Sequence, residues 1–197
     1  MSRITSIFAA LSLAAMSAIA AAPVAAAQAA KVVVIDQARI MRDSAAGKDI
    51  VQKISTIEQA MESELQPQAT AIQTEQQTLT PKLEGKNVND IRADPALAAE
   101  VNAFVGKTQQ FENARQVRGA ELNLTERKAW SDFFTALRPV LREVVEEQGA
   151  DIVLDRQEVV YAGPTVDITA DVIAKLDAAT PTIQVVRQAL PERAPAQ

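Results

Sequence analysis

Apolar positions in this chain change period twice, and the changes divide it into a body and an arm. Residues 31–36, Lys-Val-Val-Val-Ile-Asp, form a β-branched run closed by a carboxylate. This predicts a short buried strand whose terminal Asp36 caps the helix that follows. From 38 to 84 helix formers dominate, and apolar residues recur at three- and four-residue steps through Ile50, Ile54, Ile57, Met61, Leu65, Ala69, Ile72, Leu79 and Leu83. That period predicts one long amphipathic helix, or two kinked segments. A helix of about 47 residues extends about 70 Å, so it must project from a domain this small.

Residues 85–95 interrupt the pattern with Gly85, Asn87, Asn89, Asp90, Asp94 and Pro95; Asp94-Pro95 is a cap followed by a proline suited to a first helical position. Helical periodicity then resumes to Gly149 through Leu97, Val101, Phe104, Phe111, Leu122, Phe133, Leu137, Val140 and Val144. Two helices of similar length predict an antiparallel hairpin over 38–149 with its tip at about 85–95. After the Gly149 stop, residues 151–155 and 158–162 read as two strands turning at Arg156-Gln157. A last helix runs through Val172, Ile173 and Leu176 with Thr169 as its N-cap, and 181–197 is expected to be a mobile tail.

Strands at both ends of the chain must pair with each other to satisfy their backbone groups. The fold class is therefore mainly α with a small β body (α+β), the body comprising 30–37 and 150–180 and the hairpin hanging from it. So small a core favours self-association. Val32, Val34, Ile152, Leu154, Val160, Ile168, Ile173 and Leu176 are the candidates for the body core and for contacts between copies.

Arg3, the apolar stretch 4–19 and the small-residue run 20–30 predict a signal peptide over 1–29, cleaved after Ala27 or Ala29, with an apolar region too short to span a membrane. Export places the mature chain, about 168–170 residues, outside the cytoplasm. The sequence contains no Cys and no His. It lacks the commonest general base, the thiol nucleophile, disulfides and the usual transition-metal ligands. The formal net charge of −5 argues against nucleic acid, which needs clustered cations.

Individual motifs have plain structural readings. Gly47-Lys48 is followed by Asp49, and Arg42 stands where a phosphate loop has its first glycine, so no nucleotide site is expected. Asp151, Asp155, Asp167 and Asp171 read as caps and solvated edges rather than a calcium or acid–base site. Asn123-Leu124-Thr125 is a glycosylation sequon in form only, since it falls within a helix. Trp130, Phe133 and Phe134 pack under the body or line a cavity roof, Trp130 being assigned to packing. The stripe Ile50, Ile54, Ile57, Met61, Leu65 is assigned to the seam between the helices. Val51, Ile91, Val105 and Val117 lie off that seam.

Four stretches carry a family resemblance: 33–36; the Ser44 to Gly47-Lys48 element; 150–155; and Val159-Val160-Tyr161-Ala162 followed by 166–173. The chain resembles the Skp/OmpH-type periplasmic chaperones, from the mature N-terminus to about Ala178. The resemblance implies a homotrimer whose strands form a central body and whose helical hairpins surround a cavity. Unfolded outer-membrane proteins would be held there without ATP, cofactor or covalent chemistry, and Val51, Ile91, Val105 and Val117 become candidates for client contact. Pro67, Pro81, Gly119 and Pro139 are hinge candidates, or else tolerated kinks.

Family members are often basic, whereas this chain is acidic, and Lys107, Arg115, Arg118, Arg127 and Lys128 make only a modest basic face. That weighs against lipid or lipopolysaccharide binding. The alternatives are a structural coiled-coil adaptor of the cell envelope and a secreted enzyme or metal protein that uses carboxylates alone.

Overall fold

The computed structural model describes residues 29–191; the expected signal peptide and its cleavage sites lie outside them but for residue 29. The chain forms β1 (Val32–Ile35), α1 (Gln37–Asp43), α2 (Ala45–Leu83), α3 (Val88–Ala93), α4 (Pro95–Gln148), β2 (Ile152–Asp155) and α5 (Thr169–Ala179). Asp36 caps α1 by accepting the Arg39 N–H at 2.8 Å, because a carboxylate at this position satisfies an amide that has no partner within the helix.

The outgoing helix is divided at Ser44, whose extended backbone ends α1 and begins α2. Its Oγ accepts the Gly47 N–H at 3.1 Å, and Asp177 on α5 accepts the Ala45 N–H at 2.7 Å. At this corner the chain passes so close to itself that a Cβ on Gly47 would lie 1.7 Å from the Met41 carbonyl oxygen. Gly47→Ala must separate α1 from α2 and is expected to cost about 2–3 kcal/mol, read as a lower urea midpoint with unchanged slope.

Beyond the corner, α2 continues for 39 residues through Pro67 and Pro81. The tip contains the short helix α3, opened by a capping box in which the Asn87 side chain accepts the Asp90 N–H and the Asp90 carboxylate accepts the Asn87 N–H. Asp94 then caps α4 with Pro95 in its first turn. At 54 residues this helix is about 80 Å long. Cross-helix ion pairs fix the antiparallel register: Lys82–Glu100 at 2.6 Å, Lys107–Glu75 at 2.8 Å and Arg118–Glu64 at 3.0 Å. Gly149 at φ +58° provides the left-handed residue that ends α4.

β1 and β2 pair in parallel, from Val32 opposite Ile152 to Ile35 opposite Asp155. Parallel strands need a crossover, and here the whole hairpin serves as one. On the other side of β1, Val34 donates to Val166 and accepts from Ile168, so β1 is flanked on both sides. The core lies where arm meets body: Val33, Ile35, Ile40, Ile50, Phe133, Leu137, Val140, Val144, Ile168, Val172 and Leu176 form one buried cluster. Phe133 is fully buried, with Trp130 and Phe134 edge-on at 5.5 and 5.6 Å.

Three expectations are corrected. Residues 158–162 are not a strand within one chain: Arg156–Glu158 makes a single 3-10 turn, with Asp155 accepting the Gln157 N–H. That turn carries the chain away from the hairpin path, and the chain next bonds the far side of β1 at Val166 and Ile168 rather than the edge of β2. Thr169 is not the cap of α5 but its first, buried residue; Asp167 accepts its N–H at 3.0 Å, while its Oγ1 accepts the Asp36 N–H at 2.9 Å. Finally, 181–190 is not free. It lies as an extended strap along the base of the arm, with Ile183 in the core.

Candidate functional site

Two surfaces could meet other chains, and each has a clear local origin. On the body, the outer edge of β2 carries no partner strand among the described residues. Ile152 on that strand is 45% exposed, and in the segment that follows it Tyr161 is 84% exposed and Val160 fully exposed. Of the body residues singled out by pattern, Val34, Ile168 and Leu176 are buried, whereas Val32, Leu154 and Ile173 are half-buried. Ile152 and Val160 do not belong to the core of a single chain. Ile152 lies on a strand with one unpaired edge, the arrangement through which sheets recruit further strands, and Val160 adds exposed apolar surface in the segment after it.

On the arm, Val51, Val105 and Val117 are exposed and Ile91 at the tip is half-buried. Val88, which the periodicity did not single out, is 63% exposed beside it. The seam takes Ile50 and Met61 fully and Ile54, Ile57 and Leu65 in part, with Leu79 and Leu97 buried towards the tip. The exposed valines are thus spread along the arm rather than gathered in one pocket. The basic face is largely neutralised by its neighbours, Lys107 by Glu75, Arg115 by Glu112, Arg118 by Glu64 and Glu121, and Lys128 by Asp132.

The carboxylates act as caps and ties. Asp151 accepts the Lys31 N–H at 2.8 Å, and Asp167 meets Arg156 at 2.8 Å. Burial works to raise the Asp167 carboxyl, yet the hydroxyl and amide of Thr169 and the charge of Arg156 hold it below its ordinary value.

The strap is the part of the structure that sequence reasoning missed. Ile183 donates its N–H to Asp49 at 3.0 Å and accepts from Lys53 at 2.7 Å. Farther along, Arg187 reaches Glu64 at 2.7 Å and Glu121 at 2.8 Å, and the Gln188 N–H meets Thr125 Oγ1 at 2.9 Å. A signal was present: Glu121 and Thr125 fall in phase with Ala129, Phe133 and Leu137 on the buried stripe of α4, and polar residues on such a stripe require a polar partner.

Docking of the strap is expected to weaken in acid. The Arg187 hydrogen bond lowers the Glu64 carboxyl from its ordinary 4.5. Burial pushes the Asp49 carboxyl up, but Lys53 and the Ile183 amide outweigh it and bring it below 3.8. Groups with a depressed docked pKa contribute fully above their ordinary values and lose that contribution as pH falls through the docked ones. The strap is therefore expected to stay docked at neutral pH and to loosen as pH falls below the ordinary values of these two carboxyls and through their lowered ones. Lower protection of the Ile183 and Gln188 amides in acid, relative to the intrinsic exchange rate at each pH, would report it.

The comparisons with known proteins agree with this architecture. The family model described as outer membrane protein (OmpH-like) matches residues 31–176. The chain belongs to this Skp/OmpH chaperone family. Among relatives, the chaperone protein Skp of Yersinia enterocolitica is 28% identical over 170 residues, covering 83% of this chain and 96% of its own. Skp of Salmonella typhimurium is 26% identical over 152 residues, covering 76% and 89%. The crystal structure of a Caulobacter crescentus protein, described as an OmpH-like outer membrane chaperone, superposes with a TM-score of 0.71 at 28% identity. It covers 84% of this chain and 94% of that one. In this OmpH-like chain the hairpin and the small sheet are thus the shared family fold, and the family model's match ends at residue 176.

Proposed function

We propose that this OmpH-like protein is an ATP-independent holdase of the periplasm, exported through a cleaved signal peptide, which encloses unfolded outer-membrane proteins between the arms of a homotrimer. The observation that carries the reading is the pairing of an unfilled sheet edge with a long projecting arm in one chain. Strands from several copies complete one another at the body, around Ile152, Val160 and Tyr161, and the arms then share one enclosed space. An unfolded barrel protein exposes alternating apolar side chains and unpaired backbone, and aggregates when two such chains meet. Enclosure prevents the meeting. Weak contacts at Val51, Val88, Ile91, Val105 and Val117, repeated on each arm, retain a mobile client by avidity while each contact releases easily.

The decisive experiment dilutes a urea-unfolded outer-membrane barrel protein into buffer with or without stoichiometric mature protein, lacking nucleotide. Suppressed light scattering is expected; scattering that proceeds undiminished rejects the function. Sedimentation gives the assembly, a trimer being expected and a stable monomer excluding the cavity.

Within this reading the arms bend at Pro67, Pro81, Gly119 and Pro139, because each proline removes a helix hydrogen bond and glycine lowers local stiffness. A Cβ at Gly119 would meet nothing within 4 Å. Gly119→Ala is therefore sterically free and should stabilise α4 by about 1 kcal/mol. Combined with Pro139→Ala, it should narrow the range of client sizes captured, and an unchanged range removes the hinge assignment.

A further inference from the structure

The strap has the form of a peptide ligand seated on a receptor. Within 181–190 the chain is extended, and Ile183, Val185 and Arg187 turn towards the arm while Gln184 and Val186 face solvent. This is the two-residue alternation of a β-strand. The receptor is the groove between α2 and α4, and much of its grip falls on backbone: Asp49 and Lys53 bind the amide and carbonyl of Ile183, and Thr125 accepts the amide of Gln188. Every polypeptide offers such groups. Specificity comes from the two apolar side chains and from Glu64 and Glu121, which hold the Arg187 cation.

The charges of the groove are also paired without its ligand. Arg118 pairs with Glu64 and with Glu121, Lys53 pairs with Asp49 at 2.7 Å, and the Thr125 hydroxyl donates to the Glu121 carbonyl at 2.8 Å. Lifting the strap leaves each of these side chains one partner within the arm, so no buried charge is stranded.

We infer that this groove binds an extended client segment in which two alternate apolar residues are followed, two places on, by a cation, and that residues 181–190 occupy it as an intramolecular competitor. The inference rests on the holdase reading and names the client element recognised at the base of the arm. Such alternation is what a barrel strand exposes before it folds. The strap begins only a few residues after α5, so its effective concentration is of millimolar order. A free client at micromolar concentration cannot displace it, whereas a segment already retained between the arms can.

The test measures fluorescence anisotropy of a fluorescein-labelled ten-residue peptide alternating Val and Thr with one Arg at the position of Arg187. A scrambled peptide with its apolar residues contiguous is the control. The probe is titrated with the full mature protein, a chain ending at Thr180, and full-length Arg187→Glu, which keeps the strap but repels it from Glu64 and Glu121. Both variants should bind the alternating peptide at least about tenfold more tightly than the parent, with the scrambled peptide weaker. If the shortened chain does not fold, Arg187→Glu decides alone. Lower melting temperatures with no gain in peptide affinity would make the strap a brace only and overturn the inference, as would equal binding of the scrambled peptide. Failure of the scattering assay with peptide capture intact rejects the holdase reading and its client; scattering suppressed with no gain in affinity rejects the groove alone.

Discussion

Val160→Asp is expected to dissolve the assembly and with it the protection of clients. In one chain this side chain is fully exposed, so the substitution removes no intrachain packing and should leave the melting of the isolated fold within about 0.5 kcal/mol of the parent. Its effect arises only if another copy covers the position. A carboxylate placed in an apolar contact between strands loses its hydration without a partner, at a cost of several kcal/mol in each interface. Far-ultraviolet circular dichroism should stay the same, because the helix resides in α2 and α4, which make no use of Val160. Sedimentation should show monomers, and aggregation of an unfolded barrel protein should proceed as if no chaperone were present. Ile152→Lys, on the open edge of β2, is the companion variant and should act in the same direction. An assembly unchanged in both would place the contacts between copies elsewhere and remove the body from the proposed mechanism.

Phe133→Ala should give the largest loss of stability of any single substitution in the arm. The ring is fully buried at the junction of arm and body, and its edge contacts with Trp130 and Phe134 join one turn of α4 to the core beneath the sheet. Truncation leaves a cavity that rigid helices cannot close, costing about 3–5 kcal/mol, against a total stability of about 5–15 kcal/mol for a domain. The protein has one Trp, and that Trp130 lies edge-on to the missing ring, so intrinsic fluorescence reads the site directly. A urea midpoint reduced by a third or more is expected, with the emission shifted to longer wavelength. A loss below about 1 kcal/mol would show that body and arm are not joined through this cluster.

Much of the fold was legible because local chemistry and global arrangement agree. Asp36, Asp94-Pro95 and Gly149 each mark a helix end that the structure places there, since capping is satisfied within a few residues and needs no distant partner. Ser44 was harder. Its neighbours are good helix formers, and the break depends on the close approach of Gly47 to Met41 and on Asp177, 132 residues away in sequence. The segment 158–162 has the alternation of a strand and is not one in a single chain, because a strand exists only where another backbone can meet it.

For the candidate site the division is similar. The exposed valines at 51, 105 and 117 follow from their phase relative to the seam, which α2 and α4 define between themselves. The strap could not be found in this way. Pro181, with Pro191 and Pro195 beyond it, marks the segment as a tail, and its docking depends on Asp49, Lys53, Glu64, Glu121 and Thr125 being brought to one groove from two helices.

By itself, then, the sequence determined the long hairpin, its tip, its caps and the strands at the two ends, because hydrophobic period and helix termini are written within a few residues of where they act. Only the tertiary structure decided that the strands run parallel, that β1 is flanked on both sides while β2 keeps an open edge among the described residues, and that residues 183–188 lie against the arm. Those outcomes depend on contacts between segments more than 60 residues apart, about which local pattern is silent.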